Sequence, residues 1–142
     1  MVTKDVFIQK LNKALEWEYA ATVQYIQHAA VLTGAHRETI AKELNVHAGE
    51  EKDHAIKVAA MINTLAGVPT VDVEKREIAA DDKTMLGQDL AGEELAIELY
   101  QELIAIAKEL KYEPMVPVLE GILKDELEHK HDLQKFLMSI GS

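Results

Sequence analysis

The most regular feature of the sequence is an apolar stripe with helical spacing, which recurs in four long segments. Within each segment, apolar residues return every three to four positions and therefore share one face of an α-helix. The pattern predicts four helices, over residues 4–33, 37–66, 82–111 and 114–139. Gly34, Gly67 and Pro114 fall at the predicted boundaries, where glycine closes helices and proline opens them. Four such stripes predict an all-α four-helix bundle, with residues 1–142 in a single domain.

Ionisable residues interrupt all four stripes at similar places. Glu93, for example, lies three residues after Leu90 and four before Ile97, so it shares their inward face, whereas Glu94 does not. The same reasoning directs six side chains into the core: Glu18, Glu51, His54, Glu93, Glu126 and His129. We therefore expect these six residues to meet inside the bundle.

The six residues are spaced like a two-helix hairpin that occurs twice. Glu18 and Glu51 lie 33 positions apart, and so do Glu93 and Glu126. The second glutamate of each pair begins a Glu-x-x-His motif. In an antiparallel hairpin, residues equidistant from the turn lie at the same height, and the midpoint of each pair falls near a predicted turn. Each single glutamate is thus expected to lie level with a Glu-x-x-His motif.

The connection between the second and third predicted helices is long. It comprises 15 residues, 67–81, which reach roughly 50 Å when fully extended. A helix of about 30 residues is ~45 Å long, whereas antiparallel neighbours need only a short loop. The sequence therefore predicts two antiparallel hairpins joined by a crossover that runs the length of the bundle and sets the second and third helices parallel.

A buried set of four carboxylates is unfavourable without counter-charge, because the groups repel one another and lose their hydration. Two divalent cations would balance the four negative charges. Carboxylates can bridge and chelate such cations, and each histidine can supply one nitrogen. This mixed ligation suits iron or manganese, with zinc possible. The pattern therefore predicts a two-metal site, which is either a reactive centre or a structural metal staple.

Composition narrows the functional classes. The chain has no cysteine, which excludes disulfides, thiolate zinc sites and cysteine-ligated iron–sulfur centres within it. The net charge of −10 argues against binding to nucleic-acid phosphates. No window reaches the length of a membrane span, and the amphipathic N-terminal segment lacks the apolar run of a secretory signal. We expect a cytoplasmic protein that binds neither nucleic acid nor membrane.

The sequence resembles the bacterioferritins, within the ferritin-like superfamily, over nearly its whole length. Beside the double Glu-x-x-His, the resemblance rests on short strings that begin at Gln24, His28, Leu65, Asp89 and Asp125. It implies a ferritin-like bundle with two iron ions per chain. It also implies ferroxidase chemistry in iron storage or detoxification, in which two bound Fe(II) ions give electrons to O2 or peroxide and ferric product forms.

The sequence departs from the bacterioferritin pattern in two ways. Lys52 stands where that family places a haem-ligating methionine, so no haem is expected. The sequence stops at Ser142, about where the family's fifth helix would begin. We therefore expect a homodimer as the smallest stable unit, with a hollow cage as the alternative. Trp17 and His28, beside the first stripe, are candidate dimer contacts.

A second resemblance is to the rubrerythrin-like proteins, which reduce peroxide with electrons from a separate donor. Those proteins use an additional glutamate on the third helix. Here Ile97 occupies the inward position where that ligand is expected, and Glu94 falls off the stripe. Ferroxidase chemistry is therefore the preferred hypothesis, with peroxide reduction and a non-catalytic metal-binding bundle as alternatives.

Four further polar residues have roles that the sequence leaves open. Tyr25 and Tyr100 occupy equivalent positions in the two hairpins, two turns beyond the single glutamates. Tyr25 either supports the metal site, by contact with its ligands or by redox chemistry, or is an ordinary core tyrosine. His47 and Glu50 either pass iron toward the site from an inner surface or, as the preferred interpretation, are ordinary polar helix positions.

Overall fold

The computed structural model describes residues 2–141, which form four long α-helices and their connections. The helices, numbered in chain order, are α1 Lys4–Val31, α2 Arg37–Thr64, α3 Asp82–Glu109 and α4 Met115–Ile140. No strand occurs within the described range. The four predicted helices are confirmed, and each boundary differs from its prediction by no more than about two residues.

Local hydrogen bonds explain where the helices begin and end. The side chains of Thr3 and Asp81 cap α1 and α3 by accepting hydrogen bonds from backbone N–H groups in the first turn. Helices α2 and α3 end earlier than predicted because Ala66 and Lys111 adopt left-handed backbone conformations, with φ of 64° and 63°. The N–H of the next residue then bonds to a carbonyl of the last helical turn, which closes each helix.

The four helices pair as two hairpins. Helix α1 packs along α2 and α3 along α4, each pair joined by a short turn. The hairpins meet through α1 against α3 and α2 against α4, so that α2 and α3 are not neighbours. This arrangement confirms the predicted bundle of two antiparallel hairpins.

Polar contacts hold the crossover between α2 and α3 along the side of α1. Asn12 accepts a hydrogen bond from the Thr70 N–H and donates one to the Val68 carbonyl. At the far end of α1, Asp82 accepts a hydrogen bond from the Gly34 N–H. The connection therefore follows most of the length of α1 and brings the start of α3 to the turn where α2 also begins. The predicted crossover is confirmed.

Two apolar clusters fill the bundle on either side of a polar middle layer. Full burial of one such side chain contributes about 1.5–3 kcal/mol, so both halves stabilise the bundle around that layer. Members of one cluster are Phe7, Leu11, Ile62, Leu103 and Leu119. Members of the other are Leu32, Leu44, Met85, Leu86 and Leu133. No helix formed by residues 2–141 has the apolar length that a bilayer crossing requires.

Candidate metal centre

The six ionisable residues that were expected in the core lie together in the polar middle layer. Helices α1 and α3 each contribute one glutamate, Glu18 and Glu93, while α2 and α4 each contribute a Glu-x-x-His pair. All six are buried, with exposures of 2% or less. Glu94, the next residue along α3, is exposed. The apolar stripe therefore identified the inward face of α3 correctly.

The ligand atoms form two overlapping groups. In each group, one nitrogen or oxygen from every member lies within 4.8 Å of the others. The first group contains Glu18, Glu51, His54 and Glu126. The second contains Glu51, Glu93, Glu126 and His129. Because Glu51 and Glu126 belong to both groups, they would be the residues available to both cations if each group held one.

Both histidines direct the same ring nitrogen toward the carboxylates. His54 Nδ1 lies 3.3 Å from Glu126 Oε1, and His129 Nδ1 lies 3.0 Å from Glu51 Oε1. His54 can therefore supply its Nδ1 to a cation in the first group, and His129 can supply its Nδ1 to a cation in the second.

Carboxylates outside the centre face the other nitrogen of each ring. His54 Nε2 lies 2.8 Å from Asp125 Oδ2, and His129 Nε2 lies 3.4 Å from Glu50 Oε2. When the His54 ring gives up one proton to a cation, the hydrogen bond with Asp125 favours keeping the other proton on Nε2, which leaves the Nδ1 lone pair for the cation. Neither residue was assigned this role from the sequence. The Glu50 side chain is 36% exposed, and its contact with His129 is longer than that of Asp125 with His54.

The two tyrosines each bond to a glutamate from the other hairpin. Tyr25 on α1 donates a hydrogen bond to Glu93 Oε1 at 2.7 Å, and Tyr100 on α3 donates one to Glu18 Oε1 at 2.8 Å. Burial raises the pKa of Tyr25 well above its ordinary value, with a further contribution from the Glu93 carboxylate. Both phenols therefore remain hydrogen-bond donors at neutral pH. Of the roles left open for Tyr25, contact with a predicted metal ligand is the one that the geometry supports.

Many of the buried ligand atoms have no hydrogen-bond partner within residues 2–141. They are Glu18 Oε2, Glu51 Oε1, Glu93 Oε2, His54 Nδ1 and both Glu126 oxygens. Each unsatisfied buried polar group costs about 1–3 kcal/mol, so a convergent set of them is unfavourable by itself. Two divalent cations would satisfy these atoms and offset the four carboxylate charges. The donor set therefore fits a pair of transition-metal ions.

Burial and mutual repulsion alter protonation in the metal-free centre. Burial raises the pKa of Glu51 well above its ordinary value, and the Glu126 carboxylate raises it further. Burial raises the pKa of Glu93 to about 8, with the same help from Glu126. For His54, burial opposes the charged form, but the Glu126 and Glu18 carboxylates outweigh it and raise the pKa to about 11. Metal binding is thus expected to release protons from these groups.

His47 lies against the centre, where the sequence analysis did not place it. The residue is 1% exposed, and its ring stacks on His129 with centroids 4.0 Å apart. Burial lowers its pKa to about 4, with a further contribution from His129, so the imidazole is neutral at pH 7. The preferred interpretation as an ordinary polar position is therefore wrong. The sequence did contain a signal for this position. His47 lies three residues after Leu44 and four before Glu51, and this spacing places it on the inward face of α2.

A second buried polar network lies between α1 and α3. Asp89 accepts a hydrogen bond from Gln24 Nε2 at 2.9 Å, and its other oxygen lies 2.8 Å from His28 Nδ1. Arg76 of the crossover donates to Gln24 Oε1 at 3.2 Å and lies 4.7 Å over the ring of Trp17. Because His28 is only 1% exposed, its expected part in a dimer contact is wrong.

Comparison with known proteins assigns the family. A family model described as a ferritin-like domain matches residues 8–140. The chain belongs to the ferritin-like family.

Two relatives of known name cover most of this ferritin-like chain. The bacterioferritin of Rhodobacter capsulatus is 31% identical over 123 residues, which are 86% of this chain and 76% of that protein. The nutrient stress-induced DNA-binding protein of Synechococcus sp. is 28% identical over 137 residues, which are 89% of this chain and 78% of that protein. The bacterioferritin match confirms the resemblance found in the sequence.

Solved structures share the whole architecture. A ferritin-like diiron-carboxylate protein from Bacillus anthracis superposes with a TM-score of 0.92 at 29% identity, over 96% of this chain and 99% of its own. A dodecameric thioferritin, the bacterioferritin-related protein of Bacteroides fragilis, gives a TM-score of 0.90 at 33% identity, over 99% and 89% of the two chains. The fold class predicted from the sequence, a ferritin-like four-helix bundle, is confirmed.

A small cavity lies beside the candidate metal centre of this ferritin-like bundle. Its volume is about 20 Å³, which is enough for roughly one water molecule. Its lining includes Trp17, Gln24 and Arg76 together with the glutamates Glu51 and Glu126.

Proposed function

We propose that this chain is a ferroxidase-type protein that binds two iron ions and oxidises Fe(II) in cytoplasmic iron storage or detoxification. The observation that carries the proposal is the pair of overlapping ligand groups that share Glu51 and Glu126. The names of its relatives, a bacterioferritin and a diiron-carboxylate protein, support iron over manganese or zinc as the native metal.

In this proposal, two Fe(II) ions are the substrate and O2 or peroxide is the oxidant. Each Fe(II) gives up one electron, so a bound pair can deliver two electrons to one oxidant molecule. The four glutamates offset the positive charge, and Glu51 and Glu126 hold the two ions side by side. Tyr25 and Tyr100 donate hydrogen bonds to Glu93 and Glu18, the two glutamates that belong to only one ligand group each. These bonds hold both carboxylates in position before the ions bind.

The rubrerythrin-like alternative has less support. Peroxide reduction of that kind was expected to need an additional glutamate directed inward from α3. Ile97 occupies that position and is buried, while Glu94 is exposed. We therefore favour oxidation of Fe(II) itself over peroxide reduction with electrons from a separate donor.

We further propose that the chain forms a homo-oligomer whose smallest stable unit is a homodimer. The Bacteroides fragilis neighbour is described as dodecameric, and a dodecamer can be built from six dimers. Val23 and Ile26 lie one turn apart on α1 and are more than half exposed, so they provide apolar surface for such a contact. We propose no haem, because Lys52 replaces the expected methionine and is exposed.

The DNA binding named for the Synechococcus protein does not form part of the proposal. This chain carries a net charge of −10, and attraction to phosphates supplies most of the affinity of sequence-independent DNA binding.

A pair of neighbouring substitutions tests the proposed chemistry. Glu93→Gln removes one carboxylate charge from the centre, whereas Glu94→Gln makes the same chemical change on the exposed face of α3. We expect Glu93→Gln to slow Fe(II) oxidation at least about tenfold and Glu94→Gln to leave the rate unchanged. Stopped-flow absorbance of the ferric product measures both rates. Equal rates in the two variants, or a wild-type rate no faster than buffer, would refute the proposal.

A further inference from the structure

A third group of ligand atoms lies beside the two-metal centre, before Glu51 on α2 and one helical turn after His129 on α4. It consists of Glu43, His47 and Asp132, and one nitrogen or oxygen from each lies within 4.8 Å of the others. Glu43 and His47 are four residues apart on α2, so they share a face, and Asp132 follows His129 by three residues on α4. Two neighbouring helices thus direct an imidazole and two carboxylates to one place.

In the part of the chain that the structure describes, the two carboxylates of this group are not held in place by ion pairs with lysine or arginine side chains. Within residues 2–141, neither Glu43 nor Asp132 pairs with a lysine or arginine, although the two carboxylates converge. His47 is 1% exposed, its Nε2 lies 3.3 Å from Asp132 Oδ2, and its Nδ1 has no hydrogen-bond partner in the described range. A buried imidazole with one long polar contact is incompletely satisfied.

The group also differs from the two-metal centre in its exposure. Glu43 is half-buried, and the Asp132 side chain is 39% exposed. A cation can therefore reach both carboxylates from solvent and contact the buried imidazole behind them. The stacking of His47 on His129 at 4.0 Å places this group directly beside the centre.

We infer that Glu43, His47 and Asp132 form a third binding site for a divalent transition-metal ion. One imidazole and two carboxylates are a ligand set that iron, manganese, cobalt and zinc accept. With three protein ligands, water is left to complete the coordination, so the site binds more weakly than the six-residue centre. The inference concerns binding alone and does not depend on the proposed ferroxidase activity.

Metal content after equilibrium dialysis against Co(II) tests the site. We expect the wild-type protein to hold three Co(II) per chain and the Glu43→Gln, Asp132→Asn double variant to hold two. A matched control, Asp53→Asn with Glu128→Gln, removes the same two charges from exposed positions on the same helices. It should still hold three. Circular dichroism checks that every variant is folded.

A fourth protein separates failure of the third site from failure of the two-metal centre. Glu51→Gln with Glu126→Gln removes both shared carboxylates and should leave one Co(II) per chain. If the wild type holds two and the Glu43→Gln, Asp132→Asn variant also holds two, the third site does not exist, although the centre does. If both the Glu43→Gln, Asp132→Asn variant and its matched control lose one ion, the loss reflects surface charge and the third site is likewise refuted.

Discussion

At the scale of single residues, side chains from neighbouring helices orient the predicted metal ligands. Tyr25 holds Glu93, Tyr100 holds Glu18, and Asp125 faces His54. The sequence identified the six inward residues because each interrupts an apolar stripe. It did not identify Asp125, because this residue lies at the edge of a stripe and its side chain is 34% exposed. Its position in the sequence therefore does not distinguish it from the other polar residues on the surface.

The contact between Asp125 and His54 predicts a measurable effect on affinity. In Asp125→Asn, the imidazole loses the charged partner that holds its proton on Nε2, so the Nδ1 lone pair is less available. We expect metal affinity at the centre to fall about 10–100-fold. Competition with a chromophoric zinc chelator measures the affinity. Asp53→Asn, an exposed change on α2, is the control, and equal affinities in the two variants would show that Asp125 has no orienting role.

At the scale of the elements, the hydrophobic period predicted four helices, and the length of segment 67–81 predicted the crossover. The helix ends were less predictable. Ala66 and Lys111 are compatible with a continuing helix, yet both adopt left-handed conformations because the chain must turn away there. The course of the crossover along α1 was also not predictable, since the contacts of Asn12 with two backbone groups leave no pattern in the sequence.

The left-handed conformation of Ala66 predicts a stabilising substitution. An L-residue other than glycine loses roughly 1–2 kcal/mol in this conformation, whereas glycine adopts it freely but loses more entropy on folding. We therefore expect Ala66→Gly to raise the free energy of unfolding by about 0.5–1 kcal/mol. Denaturant unfolding measures this value. Ala60→Gly, at an exposed position inside α2, should instead lower it by about 1 kcal/mol, and a loss of stability in both variants would contradict the account.

At the scale of the whole molecule, two apolar clusters enclose a layer of buried charge. The clusters favour folding at any pH, but the charged layer does not. Its effect depends on whether protons or cations balance the carboxylates. Stability of the metal-free protein should therefore depend on pH, whereas stability of the metal-bound protein should depend on it much less.

The direction of this pH dependence follows from three groups. Carboxylates outweigh the effect of burial and raise the pKa of His54 to about 11 and of His129 to about 9, from an ordinary value of 6.5. Burial raises the pKa of Glu93 from 4.5 to about 8. Each group binds its proton more tightly in the folded state, so its stabilising contribution is lost as the pH rises through these values.

We accordingly expect the Tm of the protein in a chelator to fall between pH 6.5 and pH 9. The same measurement with saturating Zn(II) is the control, because bound cations replace the protons and raise the Tm. Differential scanning calorimetry provides both curves. A Tm in chelator that stays constant or rises over this range would show that the six residues are not buried together in the metal-free protein.

The central claim is that two cations share the carboxylates of Glu51 and Glu126. Anomalous diffraction at the iron absorption edge, from crystals grown with Fe(II) under anaerobic conditions, tests it most directly. The account predicts two peaks about 3.5–4 Å apart, both in contact with Glu51 and Glu126, one beside His54 and the other beside His129. A single peak among the six residues, or two peaks with no shared carboxylate, would contradict it.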